Sequence, residues 1–469
     1  MNKNFYKLVF CSLAIGGLVN SLAAIESSAI WMQKIAKIKN APHDHNSIPN
    51  SCLSKKLRSY IKEISALHQE GILDGEFLVA KGSKVLLDLK SADVAEIAVD
   101  TIGAPQFMIG STSKQFTAAA LLKALYENMA HGESETEKTA DVKRLLHLPL
   151  SHFLPEDAVI WEGVMPAWAN KINLHQLLSH TSGLPNFPTL PEFHAMNSLG
   201  KQALEIPHSK AEIMKIVLKY PLNFTPGSKF SYCNTGYLLT AEVISAITGM
   251  PLSLYLKKAF FDPLGLLSTF SPETGNSVQL REFAPCFTRL IPQYSYDPAC
   301  DPAILHPPFY LDDVSWVQGA GSIISTAPDL LKWNIALHLT KTILPNVLYE
   351  LYITKNLNDY AYGICLFDIC DGIMLYHPGR IGNYTSTLVY IPEDEITIIR
   401  LTHICIDSPT IEKEIDEWTE GLKDQIPDPI ERQLIVRRKI IEKYPDIRGN
   451  FRGEEIFSIL SKRITVEVK

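Results

Sequence analysis

Apolar residues recur at helical spacing in two long stretches of the chain and alternate with polar residues in short stretches near both ends. The helical spacing predicts a helix at about 54–70 and an Ala- and Leu-rich helix at 115–130. The short runs 77–80 and 85–89, joined through a turn at Gly82, predict a β-hairpin.

Two alternating stretches late in the chain, 384–391 and 396–402, predict further strands. We expect these strands to pair with the early hairpin, so that both ends of the sequence contribute to one antiparallel sheet. Between them lies a mostly helical region at about 106–329. The fold class predicted is α/β in the broad sense (α+β), with an antiparallel sheet flanked by helices and a mostly helical subdomain.

Composition describes a large globular protein, because 46% of its 469 residues are hydrophobic and 20% are charged. The formal net charge of -7 comes without a basic surface pattern, which argues against nucleic acid as a partner. Cysteines and histidines do not fall at zinc-binding spacings, and we interpret His175 and His180, five residues apart, as structural. We therefore predict neither a metal nor a cofactor.

The amino terminus has the pattern of an export signal. Lys3 and Lys7 precede an apolar run at 8–24, which ends in small residues, and we expect cleavage after Ala23 or Ala24. A cleaved signal places the protein in the periplasm or outside the cell. An uncleaved signal would leave it anchored to the membrane.

The sequence contains eight cysteines, and removal of a signal that carries Cys11 leaves an odd number. At least one thiol must then stay unpaired. We expect Cys286 and Cys300 to form a disulfide, and Cys233 to be a free thiol near the functional cleft. The alternative for Cys233 is a small packing residue.

Three short motifs carry the candidate chemistry, and the first is Ser111-Thr112-Ser113-Lys114. Ser59 and Ser198 are also followed by lysine three residues later, so spacing alone selects none of them. Ser111 differs because it opens the Ala- and Leu-rich helix, where a lysine at i+3 lies on the same face. A buried, neutral Lys114 could act as a base toward the Ser111 hydroxyl. The alternative is a helix-capping serine followed by a surface lysine.

The second motif, Tyr232-Cys233-Asn234, lies in a turn-rich loop ahead of a helix that we expect to begin near Leu238. A phenol and an amide two residues apart on such a loop can both face one cleft. Each of these short motifs is weak by itself.

The third motif is His377-Pro378-Gly379, at the end of an apolar run that precedes a predicted strand. Gly379 would let a substrate backbone approach closely. The amide of Arg380 could pair with that of Ser111 as an oxyanion hole. A lone motif of this form is usually a structural turn.

Together the motifs resemble those of the serine penicillin-recognising hydrolases, which include class C beta-lactamases, D-alanyl-D-alanine carboxypeptidases (penicillin-binding proteins) and related esterases. Further segments at 172–184, 262–266 and 319–333 are similar to other parts of that family, and the resemblance covers about 60–420. It implies a beta-lactamase/transpeptidase-like fold. It also implies roles for single residues, namely Ser111 as nucleophile, Lys114 and Tyr232 as the proton-transfer pair, and Asn234, His377, Gly379 and Arg380 as substrate-binding residues.

One departure from the family pattern bears on substrate. Beta-lactamases of this family carry lysine where this chain has His377, and histidine is largely neutral at pH 7. The difference weakens the beta-lactamase interpretation and favours the peptidase and esterase relatives. Pro378 is also unusual there, because proline has no amide donor.

We predict an exported serine hydrolase, most simply a D-alanyl-D-alanine carboxypeptidase-like peptidase, with a class C-type beta-lactamase or a carboxylesterase as alternatives. A catalytically silent scaffold of the same fold is an alternative of another class. The partner expected is a small-molecule or peptide substrate: a cell-wall D-peptide, a beta-lactam or an ester. The oligomeric state is left open.

The same interpretation divides the chain into four parts. We predict a signal peptide at 1–24, a polar lead at 25–53, a hydrolase domain at 54–420 and a charged extension at 421–469. Within the extension, 432–441 has the pattern of a basic amphipathic helix, which either packs on the body or makes weak membrane-surface contact. In the hydrolase domain the sheet is expected from about 70–105 and 330–420, around the helical region.

Overall fold

A computed structural model describes residues 52–70, 75–90, 106–193, 209–272, 314–369, 372–381, 384–402, 409–427 and 429–443. The predicted signal peptide, the expected Cys286–Cys300 disulfide and most of the proline-rich stretch before Val314 lie outside the described residues. Within the described ranges no single helix is long and apolar enough to span a membrane, and one pair bent by 72°, Asn234–Thr248 with Leu252–Leu264, meets the length and composition together.

A six-stranded antiparallel sheet forms one layer of the molecule, with strand order β2-β1-β8-β7-β6-β5. Its strands are β1 Glu76–Lys81, β2 Lys84–Lys90, β5 Cys365–Ile369, β6 Gly372–Ile381, β7 Tyr384–Ile391 and β8 Ile396–Thr402. A separate short pair consists of β3 Phe107–Met108 and β4 Ile324–Ser325.

The early hairpin and the late strands pair as predicted. Gly82 adopts a φ of 54° in the tight turn between β1 and β2, a conformation that suits glycine. On its other edge β1 pairs with β8, so the two ends of the sequence meet at the centre of the sheet. β8 is buried along its full length, because strands flank both of its edges and its sequence is mostly Ile and Thr.

Helices cover the sheet and form the remaining layer. They are α1 Cys52–Gln69, α2 Ser113–Asn128, α3 Glu135–Leu146, α4 Leu174–Leu178, α5 Lys210–Val217, α6 Asn234–Thr248, α7 Leu252–Leu256, α8 Asp262–Leu264, α9 Ala327–Asn334, α10 Asn346–Tyr352, α11 Pro409–Gly421 and α12 Pro429–Lys443. The predicted antiparallel sheet with helices and a largely helical middle region is confirmed.

α2 is the central helix of this layer. It is buried on all sides through most of its length, as expected for a run of Ala and Leu without a polar face. Phe116 stacks on Trp333 of α9 with ring centroids 3.7 Å apart. The predicted helix at 115–130 is therefore confirmed, and it begins two residues earlier, directly after Thr112.

α6 begins at Asn234, whereas the sequence pattern predicted a start near Leu238. Cys233 precedes the helix without a side-chain cap, and Gly236 lowers helix propensity in the first turn. A residue outside the helix fixes its first turn, because the Asn234 amide donates to Asn186 Oδ1 at 2.8 Å. That contact joins residues 48 positions apart.

The carboxyl-terminal helices α11 and α12 pack on each other, and α12 contains the predicted basic helix. Val436 is buried in this packing. Arg438 forms an ion pair with Glu70 at 2.9 Å, which links α12 to the end of α1. The helix therefore packs against the body of the protein on at least one side, which is one of the two interpretations of its sequence.

Candidate active site

Ser111 lies in a short 3-10 turn, Gly110–Thr112, that leads directly into α2. Gly110 has a φ of 49°, and a side chain there would approach the Arg380 amide nitrogen at 2.6 Å. The turn is fixed to the sheet by Ser386 on β7, whose Oγ donates to the Ile109 carbonyl at 2.6 Å and lies 2.8 Å from Thr112 Oγ1. The first motif is therefore held against β6 and β7 by short contacts.

Lys114 is fully buried and its Nζ has three polar neighbours. They are the Asn234 Oδ1 at 2.7 Å, the Ala320 carbonyl oxygen at 2.6 Å and the Ser111 Oγ at 3.1 Å. Carbonyl-type oxygens only accept hydrogen bonds, so the first two take two N–H groups of the amine. In a neutral amine the remaining lone pair is then left for the Ser111 hydroxyl.

Two effects act on the protonation of Lys114 in opposite directions. Burial lowers the pKa of its amine well below the usual value, because the charged form loses its hydration. The rings of Tyr232 and Tyr237, at 4.8 Å and 5.4 Å from Nζ, favour the charged form. Such a contact contributes about 2 kcal/mol at most when desolvated, whereas an unpaired buried ammonium costs several kcal/mol, so burial dominates.

Tyr232 contributes a phenol beside Ser111. Burial raises the pKa of this phenol, so it stays protonated at neutral pH, and the nearby Ser111 side chain opposes part of that rise. Its hydroxyl is buried and finds no partner of normal hydrogen-bond geometry among the described residues. The phenol is therefore a proton donor placed beside the Ser111 hydroxyl.

Cys233 and Asn234 complete the second motif at the start of α6. The Cys233 thiol is free and buried, with Sγ 3.4 Å from the Leu184 carbonyl oxygen. Burial raises the pKa of this thiol. It packs between the motif and a neighbouring loop, which fits the packing-residue interpretation, while Asn234 turns its amide oxygen to Lys114.

β6 brings the third motif to the other side of Ser111. β5 pairs with β6 only as far as Tyr376, so among the described strands the stretch 377–381 pairs with β7 alone. A side chain at Gly379 would overlap the Ile109 carbonyl oxygen and the Ser386 Oγ. The space beside Gly379 is thus filled by the protein's own turn, and an open strand edge lies next to Ser111.

His377 is buried and both of its ring nitrogens are engaged. Nδ1 lies 2.6 Å from the Pro378 carbonyl oxygen, and Nε2 lies 2.9 Å from the Tyr360 hydroxyl. Burial, with Lys114 nearby, lowers the pKa of this imidazole to about 3. His377 is consequently neutral at physiological pH.

Comparison with known proteins identifies the family of the chain. A family model described as Beta-lactamase matches residues 57–405, about three quarters of the chain. The chain belongs to the beta-lactamase family. Members of this family are serine hydrolases, among them carboxypeptidases and amidases.

Curated relatives of this beta-lactamase-family chain include a "Putative D-alanyl-D-alanine carboxypeptidase" of Salmonella typhimurium (strain LT2), which is 28% identical over 165 residues. A protein of the same name from Salmonella agona is 27% identical over 168 residues. The matches cover 34% and 35% of this chain, and 35% and 36% of the relatives. The chain thus spans about a third of the length of the curated relatives that it matches.

Solved structures share the fold of the beta-lactamase-family chain. A D-stereospecific amidohydrolase from Streptomyces sp. has a TM-score of 0.55 at 20% identity, covering 74% of this chain and 94% of the other. The D-amino acid amidase of Ochrobactrum anthropi SV3, complexed with D-phenylalanine, has a TM-score of 0.52 at 20% identity, with coverage of 75% and 91%. At this identity the likeness establishes the fold alone.

Sequence reasoning missed several residues that the fold brings to the site. Tyr360 contacts His377, and the Ala320 carbonyl oxygen accepts from Lys114. His180 packs between Tyr232 and Tyr360, with ring centroids 4.3 Å and 4.6 Å away, and its Nδ1 accepts from the Cys233 amide. Ala320 and His180 belong to segments that resembled the family, whereas nothing in the sequence around Tyr360 indicated a site.

Proposed function

We propose that this beta-lactamase-family chain hydrolyses amide bonds of D-configured peptides or amino acid amides through an acyl-enzyme on Ser111. The observation that carries the proposal is the contact set of Lys114. Its two N–H groups are used by Asn234 and Ala320, which leaves its lone pair for the Ser111 hydroxyl. This arrangement serves a base better than a surface lysine or a structural ion pair.

In the proposed reaction, Lys114 removes the proton from Ser111 Oγ as Oγ attacks the substrate carbonyl carbon. The amides of Ser111 and Arg380 stabilise the resulting oxyanion. The proton then passes to the leaving amine, for which the protonated Tyr232 phenol is the nearest donor, and Tyr232 regains its proton from Lys114. Water attacks the acyl-enzyme in the same manner, and the acid is released.

The substrate class follows from the strand side of the site. His377 is neutral and its ring nitrogens are engaged, so it offers no fixed charge for the carboxylate of a beta-lactam. This favours peptide, amide and ester substrates over a dedicated beta-lactamase. The names of the curated relatives and of the structural neighbours point to D-configured substrates. The amino-terminal sequence pattern supports export, which would place the enzyme where cell-wall peptides occur.

The proposal is tested by a time course of intact protein mass after mixing the signal-free protein with a penicillin. Ser111→Ala is the variant, and Ser113→Ala, which changes the neighbouring hydroxyl, is the control. An adduct in the wild type and in Ser113→Ala, but not in Ser111→Ala, supports acylation at Ser111. An adduct that survives in Ser111→Ala contradicts the assignment.

The same samples separate the possible reactions. A lasting adduct indicates a penicillin-sensitive peptidase, whereas consumption of penicillin without an adduct indicates a beta-lactamase. Parallel assays with D-alanyl-D-alanine peptides, D-amino acid amides and simple esters then rank the substrates. Failure of every substrate and every acylating probe would indicate a catalytically silent scaffold.

A further inference from the structure

Tyr360 sits at the end of an unusual turn next to the proposed site. Asn358 and Asp359 both have positive φ angles, 58° and 55°, and two such non-glycine residues in succession carry strain of about 1 kcal/mol or more each. Tyr360 itself is buried and forms a bridge to Cys365 at the start of β5. The strained turn thus places one aromatic side chain inside the molecule.

The segment that follows Tyr360 is fixed against the helix that carries Lys114. Gly363 has a φ of 74°, and a side chain there would overlap the Lys114 carbonyl oxygen. The Ala361 amide donates to the Ile364 carbonyl at 2.8 Å, which closes the turn. Tyr360 is therefore positioned relative to α2 as well as to the sheet.

The hydrogen bonds of His377 determine its tautomer. The Pro378 carbonyl can only accept, so Nδ1 must carry the proton that it receives. In the neutral ring Nε2 is then an acceptor, and the Tyr360 hydroxyl must donate to it. Each nitrogen thus has one partner, and burial keeps the ring uncharged.

The surroundings of His377 would not support its charged form. The titratable groups that face it are Lys114 of α2, His180 of the loop after α4, Tyr232 of the loop before α6, and Tyr360. None of these groups is a carboxylate. A proton on His377 would place a positive charge beside Lys114, lower the pKa of that amine further and weaken it as a base.

We propose that Tyr360 is a positioning residue for acylation, because its hydroxyl donates to Nε2 of the neutral His377 ring, fixes that ring beside Lys114 and keeps β6 in place next to Ser111. This inference rests on the proposed function, since it concerns the efficiency of the same base. It assigns a role to a residue outside all three sequence motifs.

The test compares Tyr360→Phe with Tyr362→Phe. Both changes remove one buried phenol hydroxyl that contacts a histidine, since Tyr362 lies 2.8 Å from His175 Nδ1, away from Ser111. Imidazole ¹⁵N NMR spectra are recorded from pH 5 to 8, and the His377 signals among the 14 histidines are assigned with His377→Gln. The acylation rate constant and KM are measured on the same proteins.

We expect His377 in the wild type and in Tyr362→Phe to show the Nδ1–H tautomer without titration. In Tyr360→Phe the Nε2 signal of His377 should shift as its hydrogen bond is lost, and the acylation rate constant should fall about tenfold, the effect of one buried hydrogen bond, with KM nearly unchanged.

Two results would overturn the inference. One is an Nε2–H tautomer for His377 in the wild type, which needs no variant and so does not depend on the folding of Tyr360→Phe. The other is a folded Tyr360→Phe protein with an unchanged His377 signal and rate. The NMR signals of His377 can be measured without turnover. Absence of acylation at Ser111 would therefore contradict the proposed function without deciding the NMR test of His377.

Discussion

The helical side of the site and the strand side contact Ser111 in different ways. On the helical side, Lys114 and Tyr232 present side-chain atoms to it, Asn234 binds Lys114, and the Lys114 amine is desolvated. On the strand side, β6 meets the turn through backbone atoms at Gly379 and Arg380. Loss of the base on the helical side should therefore affect the rate most, and changes to the packing of β6 against the turn should affect mainly stability.

Loss of the proposed base should have the largest effect. Lys114→Met and Lys114→Arg should each lower the acylation rate by about 10² to 10⁴-fold, because methionine has no base and arginine stays protonated. Lys123→Met changes a partly exposed lysine of the same helix, paired with Glu127, and should leave the rate unchanged. Rates are measured with an acylating probe. Acylation of Lys114→Arg within tenfold of wild type would contradict a lysine base.

Crowding the strand side should mainly destabilise the fold. Gly379→Ala should lower the free energy of unfolding by about 3 kcal/mol, because the added methyl meets the Ile109 carbonyl. Gly421→Ala adds a methyl group in open space and should cost nothing. Urea unfolding checks both. Equal stability of the two variants would show that the contact between β6 and the turn is loose.

Stability should also depend on pH through Lys114. Its pKa is lowered by folding, so between that value and 10.5 the unfolded chain binds a proton that the folded protein does not. Folding of the wild type is thus favoured by rising pH in this window. The unfolding free energy of Lys114→Met relative to wild type should therefore decrease from pH 7 to pH 10. A constant difference would mean that Lys114 is charged in the folded protein.

A smaller effect is expected at Ser386. Ser386→Ala removes the bond to the Ile109 carbonyl and should lower the free energy of unfolding by about 1 kcal/mol, with less than tenfold loss of acylation. Ser245→Ala, which removes only a bond back to Ala241 within α6, is the control. Thermal unfolding and the probe rate are measured together. A rate loss as large as that of Lys114→Met would contradict the expected difference between the helical side and the strand side.

Local sequence pattern predicted the elements whose signals are local. The hairpin at β1 and β2, the strands β7 and β8, and the helix after Ser111 follow from periodicity and turn residues. The start of α6 was wrong because it depends on the distant Asn186. The spacing of hydrophobic residues carries no information about a hydrogen bond to a residue 48 positions away.

The site divides in the same way. Ser111 and Lys114 are one helical turn apart, so their contact could be expected from spacing. Tyr360 and the Ala320 carbonyl reach the site only through tertiary structure, and a backbone carbonyl has no residue signature at all. The neutrality of His377 likewise depends on its burial and on the nearby Lys114. Short motifs therefore identified the groups, but not the environment that sets their charge.

The position of β8 has a consequence for biosynthesis. β8 is the strand that joins the hairpin β1–β2 to β7 and the rest of the sheet, yet among the strands that the structure describes it is the last to be synthesised. A ribosome that has released the chain through Ile391 has already made every residue of the proposed active site. One edge of the amino-terminal hairpin nevertheless stays unpaired until Ile396–Thr402 have been synthesised.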